Sequence, residues 1–224
     1  MTIEQISLTY EKLEIVNICR NLISRYSFLI GENRMREVAD MFARRGDTTV
    51  AMPWGCYDGF EGAVRCFTTD HLDIDDDGAF EKLKGIWNMD SLTSVCVEVA
   101  DDLETARASC VSHRIETNPT ENEIPVYSKN SYFCWGRYGF DFIREDGEWK
   151  IWHMYLVPVL KMPYLEDWKD YAYKGFELRV PTIDRPAMET YQWNPNDITP
   201  LADPEPPLPY KTFADVAPGY GYAV

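Results

Sequence analysis

A chain of 224 residues, 45% hydrophobic and 26% charged, can bury a large core and is too apolar to be disordered throughout. Its net charge of -15 repels phosphate backbones and anionic lipid, which argues against nucleic acid and membrane as partners. No basic-then-apolar leader, no bilayer-length apolar run and no Cys-x-x-Cys occurs, so a cytoplasmic protein with reduced thiols is expected.

Ile15, Ile18, Cys19, Leu22, Tyr26 and Ile30 recur at helical spacing and predict a long first helix, broken by Gly31. Met35, Val38, Ala39 and Phe42 mark one face of a second helix. Residues 48–54 read as a short strand, ended by a turn over Gly55–Gly59. A third helix follows from Phe60 to about Leu72, then a loop over Asp73–Gly78. That acidic loop lacks the bidentate acid of a calcium site, and the three histidines are not spaced as ligands. No phosphate-binding glycine motif, nucleophile elbow or activated cysteine is present, so neither metal nor cofactor is expected. His71, followed by acidic residues, reads as a surface group.

Residues 92–99 and 105–117 read as strands, the second with Arg114 and Glu116 outward and Ser109, Val111, His113 and Ile115 inward. Arg107 shares the phase of His113 and, if buried, needs an anionic partner. A hairpin spans Tyr132–Tyr155 around the turn Glu145-Asp146-Gly147. Tyr132, Cys134, Gly136, Tyr138, Phe140 and Phe142 share one phase, while Arg137 and Asp141 share the other. With Lys150 outward, Trp149, Ile151, His153 and Tyr155 point inward. Helices followed by antiparallel strands indicate an α+β fold. From Pro158 onward lie eleven of the fourteen prolines, with many aromatics, so residues 158–224 read as an extended arm. Such an arm packs on its own domain (1–157) or on a neighbouring subunit, and a homo-oligomer, dimer or trimer, is expected.

An inner face of aromatic bulk with a few titratable tips suits a flat, ring-bearing ligand. Trp54, Trp87, Phe140, Phe142 and Trp149 are its candidate walls, with Tyr57 and His153 beside them. Several must also be ordinary core. His113 is the candidate proton acceptor, against the alternative of a core histidine bonded to a hydroxyl or carbonyl. Tyr26 and Tyr138 are candidate phenolic donors.

Arg25-Tyr26, Met41-Phe42, Gly55-x-Tyr57-x-Gly59, residues 97–106 and Asp146-Gly147-x-Trp149-x-Ile151 together resemble the SnoaL-like branch of the nuclear-transport-factor-2-like superfamily, over roughly residues 10–157. The resemblance implies a cone: a curved antiparallel sheet wrapped around N-terminal helices (cystatin-like α+β barrel), with an apolar pocket. It also implies that Tyr26 and Tyr138 reach that pocket. Members include scytalone and bile-acid dehydratases, ketosteroid isomerase, polyketide cyclases and binding modules. The proline-rich tail is similar to members that cleave lignin-derived aromatic dimers. Two departures matter: Ile30-Gly31 stands where dehydratases carry an acid, and Met89-Asp90-Ser91 where they often carry a histidine. Asp90 therefore becomes a catalytic candidate, a carboxylate desolvated against Trp87 and Met89. Its plainer role is to bond backbone amides.

The expected activity is that of a cofactor-independent lyase on an aromatic or polycyclic alcohol, by loss of water or retro-aldol loss of formaldehyde. The competing expectations are an isomerase or cyclase in the same pocket, and a non-catalytic binding module.

Overall fold

The structure, a computed structural model, describes residues 2–118, 130–167, 169, 180–198 and 202–222. Apolar residues at helical spacing build α1 (Ile3–Gly31), which buries Ile15, Cys19, Ile23, Tyr26, Leu29 and Ile30. Thr2 caps it: its hydroxyl accepts from the Gln5 amide at 3.2 Å and the Gln5 side chain returns the bond at 2.9 Å. α2 (Met35–Asp40), α3 (Gly59–Thr68) and the short α4 (Ala79–Lys82) follow.

Six strands, β1 (Thr49–Met52), β2 (Gly55–Asp58), β3 (Trp87–Val99), β4 (Thr105–Asn118), β5 (Asn130–Glu145) and β6 (Glu148–Pro163), form one sheet in the order β2-β1-β6-β5-β4-β3. All neighbouring pairs are antiparallel except β1 with β6. The helices fill the concave side, where Phe42, Phe67, Phe140, Phe142, Ile151 and Met154 make a core with α1. The architecture is thus the expected α+β cone.

Its curvature has a local cause. Asp141 pairs with His153 but Phe142 with Ile151, so Trp152 is an extra residue in β6. Val159 is another, between the pairs Gly136–Pro158 and Trp135–Leu160. β3 carries a third irregularity between Thr93 and Cys96, where Ser94 takes a φ of 52°. Each bulge bends and twists its strand, so long strands can wrap rather than lie flat.

The bulge at Trp152 also inverts a phase. Trp149 and Ile151 face the core as expected, but beyond it Met154 and Leu156 do so. His153 and Tyr155 are turned to the outer face, so His153 is not a wall of the concave side. The turn expected over Gly55–Gly59 is instead strand β2, reached through Pro53-Trp54. Strand β6 runs on past the expected domain end at 157 to Pro163.

Parts of the arm lie on that outer face. Tyr155 and Val157, with Ala51 and Cys56, are covered by Met188 and Tyr220. Beneath it Asp141, fully buried, accepts from Arg107 Nε at 2.8 Å, His153 Nδ1 at 2.9 Å and the Tyr220 amide at 2.7 Å. The anionic partner that Arg107 needed is therefore Asp141. Gly219 permits the approach, since a Cβ there would stand 1.9 Å from His153 Nδ1.

Candidate active site

On the concave face, β4 presents Ala106, Ala108, Cys110, Ser112 and Arg114, the phase opposite to that expected. His113 consequently projects outward, exposed, against Trp135 at a ring separation of 5.4 Å. It cannot act on anything inside the cone. Arg114 and Glu116 misled the alternation because they are polar yet face inward, beyond the apolar part of the core. Trp87 is 51% exposed and Met89 45%, so neither walls the interior or desolvates Asp90.

Asp90 does face inward and is 2% exposed. One oxygen accepts from Ser112 Oγ at 2.5 Å and the other from Tyr138 Oη at 2.9 Å. Its backbone carbonyl accepts from Ser27 of α1. The Tyr138 and Tyr26 rings meet edge to face at 5.8 Å. Burial, then the charge of Asp90, pushes both phenols well above their ordinary range. Both therefore stay protonated and act as hydrogen-bond donors rather than acids. Phe140 stacks on Tyr138 at 5.5 Å and Phe142 on Phe140 at 5.9 Å, extending the aromatic wall.

Charges alternate from Asp90 along the same face. Arg114 lies 3.4 Å from Glu116, and Glu116 pairs with the buried Lys161. Burial disfavours the charge of Arg114, but Glu116 above all, then Cys134 and Asp90, outweigh it and raise the proton affinity of the guanidinium. Opposite carboxylates compensate both cations, which makes so polar an interior tolerable. Asn88 precedes Asp90 on this strand face, and its buried Oδ1 has no hydrogen-bond partner among the described residues.

A second polar group enters from the α3 side. Trp54 Nε1 donates to Tyr57 Oη at 2.8 Å, and Tyr57 Oη donates to Asp70 at 2.6 Å. The next residue, His71, is not the surface group expected. Its ring is 5.9 Å from Trp54 and stacks on Phe67 at 6.0 Å, and Phe67 in turn meets Tyr26 at 6.2 Å. Nδ1 lies 2.8 Å from the Cys66 carbonyl, an acceptor only, so Nδ1 carries the proton and Nε2 is the basic nitrogen. Burial lowers the imidazole's proton affinity below its ordinary value, outweighing the Cys66 carbonyl and the charge of Asp70, which both raise it. His71 is therefore a neutral base at pH 7.

Of the sequence candidates, Tyr26, Trp54, Tyr57, Asp90, Tyr138, Phe140 and Phe142 thus converge on the concave side. Trp149 packs at the core's edge and lines a cleft of about 540 Å³ with Ile18, Leu22, Arg25 and Met41. His113, Trp87 and His153 lie elsewhere. Sequence reasoning missed Asp70, His71, Ser112 and Arg114. Among the described residues no group of three or more His, Cys, Asp or Glu is placed to hold a metal ion, and no helix is long and apolar enough to cross a membrane.

A cone of this kind, helices within a bulged six-stranded sheet and polar groups set in an aromatic interior, is an NTF2-like fold. The chain belongs to the SnoaL-like domain family, which it matches over residues 11–155. A provisionally named scytalone dehydratase of Novosphingobium aromaticivorans DSM 12444 aligns with TM-score 0.52 at 16% identity, over 71% of this chain and 93% of its own. Hexachlorocyclohexane dehydrochlorinase LinA-type3 of Novosphingobium barchaimii LL02 aligns with TM-score 0.52 at 14% identity, over 71% and 96%. An NTF2-like protein with a cystatin-like fold, also from Novosphingobium aromaticivorans, gives 0.50 at 16% identity, over 70% and 90%. At such identities the likeness is one of fold. No curated protein sequence matches the chain.

The state of His71 has a consequence for stability. Its folded proton affinity is depressed, whereas the unfolded chain takes up the proton near the ordinary value of 6.5. The contribution is full above that value and is lost as pH falls through the folded one. Between pH 7 and pH 5 the wild-type melting temperature should therefore drop more steeply than that of His71→Phe. Parallel slopes would show that His71 is not buried neutral.

Proposed function

We propose that the protein is a cofactor-independent lyase acting on an aromatic or polycyclic alcohol by acid–base elimination. One observation carries the reading: two buried phenols packed edge to face, one of them anchored by a buried aspartate, are joined through Phe67 ring contacts to a neutral histidine. Polar groups of this kind are costly to bury in an aromatic core, and shifted proton affinities mark candidate sites. Two fold neighbours bear the names of eliminating enzymes, a dehydratase and a dehydrochlorinase, which supports the same reaction class.

In this reading His71 Nε2 removes the proton from the carbon beside the carbinol. The electron pair forms the double bond as the C–O bond breaks, and the imidazolium returns its proton to the departing hydroxyl as water. For loss of formaldehyde, His71 takes the hydroxyl proton. The C–C bond breaks as the new carbonyl forms, and the imidazolium protonates the carbon left behind. Tyr26 donates a hydrogen bond to the oxygen on which charge builds, Tyr138 gives its single proton to Asp90 and seats the Tyr26 ring, and the field of Arg114 favours that charge. Asp90 holds Tyr138 in place. Asn88 Oδ1 accepts a substrate hydroxyl.

The same phenol pair could stabilise an enolate with nothing departing, so an isomerase or cyclase is the second reading. Product mass separates them when the protein is incubated with aryl alcohols that carry a β-hydrogen or a hydroxymethyl group. Loss of water or formaldehyde supports the lyase, and a new isomer of unchanged mass the isomerase. Binding without turnover across the panel would leave a non-catalytic ligand-binding module. The outer face also exposes Trp87, Met89, Phe133 and Trp135, which supports self-association as a dimer or trimer. Light scattering after gel filtration should give two or three times the chain mass, and a monomer would refute it.

A further inference from the structure

The SnoaL-like match ends at residue 155, yet a polar group from the arm meets the site. Thr182 Oγ1 lies 2.6 Å and 2.5 Å from the two carboxylate oxygens of Asp70. Asp70 is 3% exposed and also accepts from Tyr57. Its neighbour in sequence is His71, so fixing the Asp70 side chain fixes the corner from which the imidazole projects.

The surrounding contacts show that this segment is seated firmly. Val180 is buried in the main core, and Ile183 packs against it. Ile183 Cγ2 would stand 2.4 Å from a Cβ on Gly55, so only glycine fits beneath it. The Cys56 amide donates to the Arg185 carbonyl at 2.9 Å, which covers the edge of β2 as a further strand would. Asp184 accepts from the Asp58 amide at 2.8 Å and from Arg65 of α3 at 2.5 Å. Arg185 grips Asp58 with two nitrogens, each at 2.8 Å. Residues 180–185 are thus stitched to β2 and α3, the elements that carry Tyr57 and lead into His71.

We propose that Thr182 is a positioning residue of the active site, acting through Asp70 to hold His71 toward the phenol pair. This rests on the assignment of His71 as the base. The arm is then part of the catalytic unit and not an appendage to a self-sufficient cone.

The test compares Thr182→Val, which keeps shape and removes the hydroxyl, with Thr182→Ser, which keeps it. The first readout needs no substrate: titration of the His71 imidazole by NMR. In Thr182→Val the ring becomes better hydrated and feels an unclamped Asp70, so its midpoint should rise toward the ordinary value. The serine variant should titrate like the wild type. The second readout is turnover of the aryl alcohol identified by product mass. Misplacing the base should cost about 10- to 100-fold in kcat with KM little changed, and serine should restore it.

Wild-type titration and turnover in Thr182→Val would overturn the proposal, as would failure of serine to restore them. If Thr182→Val does not fold, Thr182→Ala is read in the same way. Should no alcohol be turned over by the wild type, the functional reading fails while the titration still decides whether Thr182 positions His71.

Discussion

His71→Gln is expected to lower kcat by about 10²–10⁴-fold while the protein still folds and binds its ligand, the range typical for loss of a positioned proton acceptor. Glutamine occupies much of the same space and can donate to the Cys66 carbonyl as Nδ1 does, but it cannot carry a proton at neutral pH. Tyr26→Phe should cost about 10²–10³-fold, since it removes the donor to the developing oxyanion. The two losses should combine to less than their product, because both act on one transition state. His113→Ala, on the outside of the sheet, should leave turnover unchanged. Calorimetric or fluorescence titration with the turned-over alcohol then separates binding from chemistry. Unimpaired kcat in His71→Gln would remove the acid–base mechanism and leave only a ligand-binding cone.

The inner face of β5 was legible because Tyr132–Ile143 pairs with β4 without a break, the extra residues lying in β6 instead. Tyr138, Phe140 and Phe142 therefore fall where simple two-residue periodicity puts them. Strand β6 was not legible beyond Ile151. A bulge inserts one residue, and nothing in Ile151-Trp152-His153 announces it, since all three side chains are buried in any case. One unrecognised residue moves every later side chain to the opposite face. His153 was consequently assigned to the pocket when it belongs to the arm's anchorage.

Strand β4 failed for a different reason. Alternation tells two faces apart but not which is inner. The charged Arg114 and Glu116 pointed to solvent, whereas the small residues Ala106, Ala108 and Cys110 on the same phase pointed inward. Small size on a strand is a weak signal, but here it was the correct one: these positions are covered by α1 and by the large rings of β5. Polar residues inside a cone are expected where it is functional, so local rules fail first at the site itself. His71 was missed because α3 ends at Thr68, three residues short of it, and the returning chain folds it against Phe67 and Trp54. The arm's return to Asp70 joins residues 112 apart, a pairing no local pattern encodes.

The largest expected effect on stability lies on the opposite side of the sheet, at Asp141→Ala. This carboxylate has no exposed surface and accepts from a guanidinium, an imidazole and a backbone amide. Removing it leaves Arg107, only 14% exposed, without its carboxylate, although the Val216 carbonyl still accepts from Nη1 at 3.1 Å. Breaking a buried pair by deleting one partner typically costs about 3–5 kcal/mol, because the surviving charge stays desolvated. Tyr220, whose ring lies under the Arg107 guanidinium at 4.2 Å, should loosen with it, and the chain from Tyr210 to Tyr222 should lift from the outer face. Chemical denaturation should show the loss, and amide exchange at Tyr220 should rise well before the core strands open. Asp141 does not touch the concave face, so turnover per folded molecule should be nearly unchanged at low temperature. Equal loss of stability and of kcat in Asp141→Ala would mean that the two faces of the sheet are coupled. Unchanged stability would mean that the arm is held by its other contacts, those of Arg185 with Asp58 and of Tyr155 with Asp203.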